Sequence, residues 1–225
     1  MSVALVTGAA KRLGREIALQ LARNGWDIAA HHLSSEAEAQ QLSEAVTKLG
    51  RKCVLVKADL AHESEVESIV ARAEAAGGPV TVLVNSASVF EDDRLETASR
   101  ASWDRHLNIN LRAPLVLSQQ FAKRLPGTAS GCIVNLIDQR VLRLTPQFMS
   151  YTVSKTGLWT LTQTMAQSLA PRIRVNAVAP GPALKASHQS QANFDRQVQS
   201  TLLRRPSGPE DIAAAVLYLV NAASV

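Results

Sequence analysis

The chain has 225 residues, 46% of them hydrophobic and 19% charged, which fits one α/β domain or two small ones and excludes a disordered chain. Aromatic residues are only 4%, so alanine, valine and leucine must fill the core. The formal net charge is +5, but there is no run of five or more basic residues and no interleaving of basic with aromatic side chains, which argues against nucleic-acid binding and suits an anionic cofactor equally well.

In chain order, short apolar runs alternate with longer amphipathic stretches. Val3–Val6 reads as a buried strand and Arg12–Asn24 as a helix ended by Gly25. Ile28–His31 is a second strand, and Ser35–Leu49 a helix stopped by Gly50. Cys53–Lys57 is a third strand, Glu63–Ala76 a helix ended by Gly77-Gly78-Pro79, and Thr81–Val84 a fourth strand. Ala101–Leu125 reads as a helix that Pro114 bends or breaks. Ile133–Ile137, a long helix over Ser150–Leu169, Ile173–Val178 and a late helix over Pro209–Val220 complete the series. The strands are continuous aliphatic runs without alternation, the mark of parallel strands covered on both faces. Repeated strand–helix–strand order implies right-handed crossovers and one doubly wound, Rossmann-type α/β domain with a mostly parallel sheet. The stretch from Gly181 to Pro209, containing His188-Gln189-Ser190-Gln191, reads as polar and irregular: either a lid over a site or a surface loop.

The two cysteines, Cys53 and Cys132, lie in separate apolar runs without a CxxC spacing, so they read as buried free thiols of a cytoplasmic protein. The N-terminus has no basic region followed by an apolar run of signal-peptide length, and no segment approaches the roughly 18 to 20 apolar residues of a membrane span.

The first strand runs into Thr7-Gly8-Ala9-Ala10-Lys11-Arg12-Leu13-Gly14, after which a helix begins. Glycine lets backbone approach a phosphate, and a helix N-terminus offers unpaired N–H donors. Arg12 and Lys11 could meet a pyrophosphate as well. The spacing is not GxGxxG, and the alternative is an ordinary βα turn.

From this turn onward the chain resembles the short-chain dehydrogenase/reductase family. Thr7, Gly8 and Gly14 match its Thr-Gly-x-x-x-Gly-x-Gly turn, with Arg12 in place of the middle glycine. Asn85-Ser86-Ala87-Ser88 stands for Asn-Asn-Ala-Gly, Asn110 for its helix asparagine, Tyr151-Thr152-Val153-Ser154-Lys155 for Tyr-x-x-x-Lys, and Pro180-Gly181 for the Pro-Gly after the sixth strand. Three departures are similar to the pteridine reductase subgroup: Arg12, Ser88 with Phe90 two residues on, and Asp138 where the family usually carries a serine. His31-His32-Leu33-Ser34-Ser35 resembles that subgroup's second-strand segment, with Ser34 where an arginine is usual.

The resemblance implies a reductase that uses NADPH, with Tyr151, Lys155, Asp138 and Asn110 in catalysis. It implies a cofactor held by Thr7, Gly8, Lys11, Arg12, Leu13, Gly14, Asp59, Leu60, Asn85, Ser86, Ala87, Tyr151, Lys155, Pro180 and Gly181. Arg12, Ser88, Phe90, Asp138 and Tyr151 are then the substrate contacts, with Phe90 stacking on a pterin-like ring. On chemical grounds, Tyr151 and Lys155 are four apart and share a helix face, and an ammonium nearby is expected to lower the phenol's pKa. An ionised carboxylate at Asp138 cannot donate to a carbonyl oxygen, so an NH-bearing ring is the more natural substrate. His31, His32, Ser34 and Ser35 offer donors without negative charge at the end of the second strand, and Asp27 lies before it, so NADPH is favoured over NADH. The rival readings are a generic carbonyl reductase, for instance of acyl-carrier-protein ketoesters, and an NADP(H)-binding regulatory protein without turnover. Relatives in the family continue into a seventh strand, whereas this sequence stops at Val225, so six strands are expected. A homo-oligomer of two or four copies follows from the resemblance alone.

Overall fold

The computed structural model describes residues 2–185 and 189–224. Six strands form one all-parallel sheet in the order β3-β2-β1-β4-β5-β6: β1 Val3–Val6, β2 Asp27–His32, β3 Cys53–Lys57, β4 Val80–Asn85, β5 Gly131–Leu136 and β6 Ile173–Val178. Successive strand residues face opposite layers. Val3 and Leu5 pack into one apolar cluster while Ala4 and Val6 pack into the other. The first cluster is closed by α3 (Glu63–Ala73), α5 (Ala113–Arg124) and α6 (Met149–Leu169), and the second by α1 (Arg12–Arg23), α2 (Glu36–Lys48) and α8 (Pro209–Asn221). Both faces are thus covered, as the unbroken apolar runs require. The strand order reverses between β1 and β4, and loops leaving the carboxyl ends of these strands open a crevice there.

Two elements differ from the sequence reading. The expected helix across Pro114 is α4 (Arg100–Leu107), one π-helical turn at Asn108–Arg112, and α5, with Pro114 in the first turn of α5. Proline has no N–H for the helical bond back to Asn110, and the wider turn absorbs the mismatch. The stretch expected to be irregular contains α7 (Gln191–Gln199), capped by the Ser190 hydroxyl accepting the Asn193 N–H; only Val198 of it is buried, which is why no apolar period announces it. His188 lies outside the described residues. Cys53 and Cys132 are free, and burial pushes both thiols up. Among the described residues no helix is long and apolar enough to cross a membrane, and no group of side chains has the make-up of a metal site.

Candidate active site

A cleft of about 1320 Å³ runs along the carboxyl ends of the strands. At one end it is floored by the turn after β1. Gly8 has φ +65°, and a Cβ there would sit 3.0 Å from Ala87 Cα. At Gly14 a Cβ would fall 2.3 Å from the Gly8 carbonyl oxygen, so only glycine lets α1 start this close to the strand end. The first turn of α1 carries no acidic residue and Lys11 provides no side-chain cap, so the leading amides, including those of Leu13 and Gly14 on the cleft wall, are left for an anion. Thr7 does not reach the cleft. Its hydroxyl accepts the amides of Ser86 and Ala87 at 2.9 and 3.0 Å and ties the end of β1 to the end of β4. Ser86, Ala87 and Ser88 then line the cleft, as do Asp59 and Leu60 after β3 and Pro180-Gly181 after β6.

Several expected contacts are corrected. His31 lines the cleft, but its ring is spent on the turn: Nδ1 accepts the Gly8 N–H at 3.1 Å and Nε2 lies 3.1 Å from the Ala58 carbonyl, which makes Nε2 the protonated nitrogen. It shapes the turn and has no donor left for a phosphate. His32 is buried away from the cleft, and Ser34 and Ser35 also lie off its wall. Asn85 is buried beneath the site, its amide donating to Asn135, which donates in turn to Thr162; it belongs to the core and not to the cofactor wall. Asn110 is fully buried and makes a two-way bond to the backbone of Val89, with a further bond to the Ser154 hydroxyl, so it holds the loop after β4 against α6 instead of facing the cleft. Lys11 lines the cleft as expected and is paired there with Glu38 at 2.7 Å. Arg12 lines the cleft and, at φ +54°, donates to the carbonyls of Leu184 and Lys185 at 3.0 and 2.9 Å, tying the turn to the segment after β6.

Burial of His31 lowers its pKa from 6.5 to about 4. The native ring is neutral, whereas the unfolded chain takes up the proton at the higher pH, so acid favours unfolding. The contribution is complete above pH 6.5 and is lost as the pH falls toward 4, on the order of 3 kcal/mol in all. We expect His31→Gln to flatten the wild type's loss of stability between pH 6.5 and 4.5, read from urea midpoints; parallel profiles would contradict the buried-neutral assignment.

At the centre of the cleft the Tyr151 hydroxyl donates to Asp138 Oδ2 at 2.7 Å, and Asp138 Oδ1 accepts the Arg140 amide at 2.8 Å. Asp138 follows β5 and caps a short turn, while Tyr151 sits in the first turn of α6, so the pair joins a strand end to a helix start. The expected fall in the Tyr151 pKa is reversed: burial first, then the Asp138 carboxylate, raise it well above the ordinary value. Lys155 is one turn further along α6, with Nζ 5.8 Å from the Tyr151 ring centroid and donating to the Leu136 carbonyl at 2.8 Å. Its burial lowers its own pKa to about 8, with Asp138 pulling the other way. The phenol therefore stays protonated at neutral pH, poised to give a proton away.

The aromatic wall contains a residue that the sequence reading missed. Phe90 is stacked on Phe148, centroids 4.4 Å apart, and meets the edge of Tyr151 at 4.7 Å; Arg140 lies over Phe148 at 4.7 Å. Phe148 has φ +58°, rare for so bulky a residue, and is held there by its N–H on Asp92 Oδ1 and the start of α6. Behind it, buried Asp93 accepts the amide of Ser150 at 3.0 Å and the hydroxyls of Ser150 and Ser102. Burial alone would raise the Asp93 pKa, but these hydrogen bonds together hold it below the usual carboxylate value. The Ser150 hydroxyl also meets His106 Nδ1 at 3.1 Å. No local signal announced Phe148: Asp92-Asp93 satisfy amides at the N-terminus of α6 from 56 and 57 residues away.

The chain was compared with known proteins. Residues 8–225 match the family model described as Enoyl-(Acyl carrier protein) reductase. A short-chain type dehydrogenase/reductase of Picea abies is 32% identical over 97% of this chain and 85% of its own. The 3-oxoacyl-[acyl-carrier-protein] reductase FabG of Staphylococcus epidermidis is likewise 32% identical, over 97% and 91%. Among solved structures, FolM alternative dihydrofolate reductase 1 from Brucella suis, crystallised with NADP, superposes with a TM-score of 0.95 at 41% identity, covering 100% of this chain and 90% of that one. With the all-parallel sheet, the glycine turn and the Tyr151–Lys155 pair, these matches establish that the chain belongs to the short-chain dehydrogenase/reductase family of oxidoreductases.

Proposed function

We propose that this protein uses NADPH to reduce a C=N bond in a dihydropteridine or dihydrofolate type of ring. The observation that carries this reading is the hydrogen bond between Tyr151 and a carboxylate, Asp138, at 2.7 Å. A carbonyl reductase needs a second donor to the oxygen, as a serine hydroxyl is, whereas a carboxylate accepts, and so matches a ring edge that presents N–H groups. The FolM structure at 41% identity supports the same substrate class.

The turn fits a dinucleotide: the close approach of Gly14 to Gly8 leaves no room for side chains, and the uncapped first turn of α1 faces the cleft. Gly8, Leu13 and Gly14 would hold the pyrophosphate, Asp59 and Leu60 the adenosine end, and Lys155 with Pro180-Gly181 the nicotinamide end. Both acidic side chains of the first turn of α2 are already paired, Glu36 with Lys57 and Glu38 with Lys11, which favours a 2′-phosphate over a bare ribose. When bound, the cofactor supplies a hydride to the ring carbon. Tyr151 gives its proton to the adjacent nitrogen, so that C=N becomes CH–NH. Lys155 stabilises the phenolate left behind, and Asp138 accepts from a ring N–H and fixes the ring in its plane. Phe90 and Phe148 supply the apolar wall against which the ring lies. The deciding experiment is an NADPH-oxidation assay across a dihydropterin, dihydrofolate and a β-ketoester: turnover of the first two is expected, and turnover of the ketoester alone would replace this reading with carbonyl reduction.

A further inference from the structure

We infer that the substrate carries a negatively charged tail, and that Arg94 and Arg143, with Arg140 beside the aromatic pair, hold it at the mouth of the cleft. This rests on the ring-reducing function proposed above. Outside the α1 turn, Asp59 at the far end and the central Asp138 and Lys155, the charged residues lining the cleft are Arg94, Arg105, Arg140, Arg143 and Arg196 against one acid, Asp92, whose carboxylate accepts the Phe148 amide. Elsewhere four exposed arginines are neutralised, Arg23 by Glu16, Arg100 by Asp104, Arg112 by Glu63 and Arg124 by Glu74, while Arg15, Arg72, Arg204 and Arg205 are scattered over the surface without an ion pair among the described residues. At the mouth, Arg105 alone has such a partner, Glu91 at 3.4 Å. Among the described residues no carboxylate lies at ion-pair distance from Arg94, Arg140 or Arg143.

Arg140 is pre-organised. Its guanidinium lies 4.7 Å from the Phe148 centroid and donates to the Thr145 hydroxyl at 2.9 Å. Arg143 is tied to it through the bond from its amide to the Arg140 carbonyl at 3.2 Å. Arg94 follows Asp93 on the loop that carries Phe90, so the cationic rim is built on the two segments that supply the aromatic wall. Uncompensated guanidinium groups gathered at one cleft repel each other until an anion enters, and their forked donors match the paired oxygens of a carboxylate or phosphate. A tail ending in glutamate and a tail ending in a phosphate ester both have this chemistry.

The test compares three dihydropterins with one ring: a neutral side chain, a side chain ending in a glutamate, and one ending in a phosphate ester. Their kcat/KM values with NADPH are measured at low and high salt, for the wild type and for Arg94→Gln/Arg143→Gln. At low salt the wild type is expected to prefer at least one anionic tail by about tenfold or more, through KM and not kcat, and the preference should shrink as salt screens it. The double variant should bring the ratio close to one. Whichever tail is preferred identifies the source of the anion. A ratio near one in the wild type, a ratio indifferent to salt, or one that survives the double substitution would overturn the inference while leaving ring reduction intact. If no dihydropterin is turned over, the function beneath it falls as well. The wild-type salt dependence decides the matter even if the double variant does not fold.

Discussion

Replacing Tyr151 with phenylalanine is expected to lower kcat for the ring substrate by about 10²- to 10⁴-fold, the usual worth of a positioned general acid, while the Kd for NADPH stays within about threefold. The hydroxyl is the only part removed. The ring keeps its edge contact with Phe90 at 4.7 Å and its place over Lys155, so the wall of the cleft survives. What goes is the hydroxyl that donates to Asp138 at 2.7 Å in the middle of the cleft, and its proton with it. Because burial and Asp138 both keep that phenol protonated, it is a donor across the neutral range, and the wild-type rate should not fall on the alkaline side until well above pH 8 on its account. Stopped-flow measurement of NADPH oxidation separates the hydride step from cofactor binding. Near-normal single-turnover rates in the variant would remove Tyr151 from the chemistry.

The fold was legible because its signals are local. Each strand declares itself by a run of aliphatic residues, and each run is needed because both faces of the sheet are covered. The glycine turn and the four-residue spacing of Tyr151 and Lys155 are equally local. What could not be read were partners separated in sequence. Nothing near His31 says that it accepts a bond from Gly8, 23 residues away, or near Arg12 that it reaches Lys185, 173 residues away. Nothing near Phe148 says that Phe90, 58 residues earlier, stacks on it.

The direction of the Tyr151 pKa was misjudged for the same reason. The lysine one turn along is visible in the sequence, whereas burial of the phenol and the carboxylate that accepts its hydrogen bond at 2.7 Å are not, and these two raise its pKa. The helix Gln191–Gln199 escaped because a polar segment that buries one side chain has no apolar period to detect.

The substitution that separates the two substrate classes is Asp138→Ser. Serine can still accept from the Arg140 amide and from Tyr151, so the turn after β5 should hold. The charge and the second acceptor oxygen are lost, along with the hydrogen bond that an N–H ring edge would make to a carboxylate. Such a bond is worth about 1.5–3 kcal/mol, so kcat/KM for the dihydropterin is expected to fall roughly 10- to 100-fold. A serine hydroxyl can donate to a carbonyl oxygen, so reduction of a β-ketoester should rise in the same variant. Removing the anion also takes away one of the two causes that raise the Tyr151 pKa, so the alkaline limb of the pH–rate profile should move to lower pH. These three readouts have a common origin in one carboxylate. If dihydropterin reduction is undiminished, Asp138 does not recognise the ring, and the feature that distinguishes this cleft from that of a carbonyl reductase must be sought in the wall formed by Phe90 and Phe148.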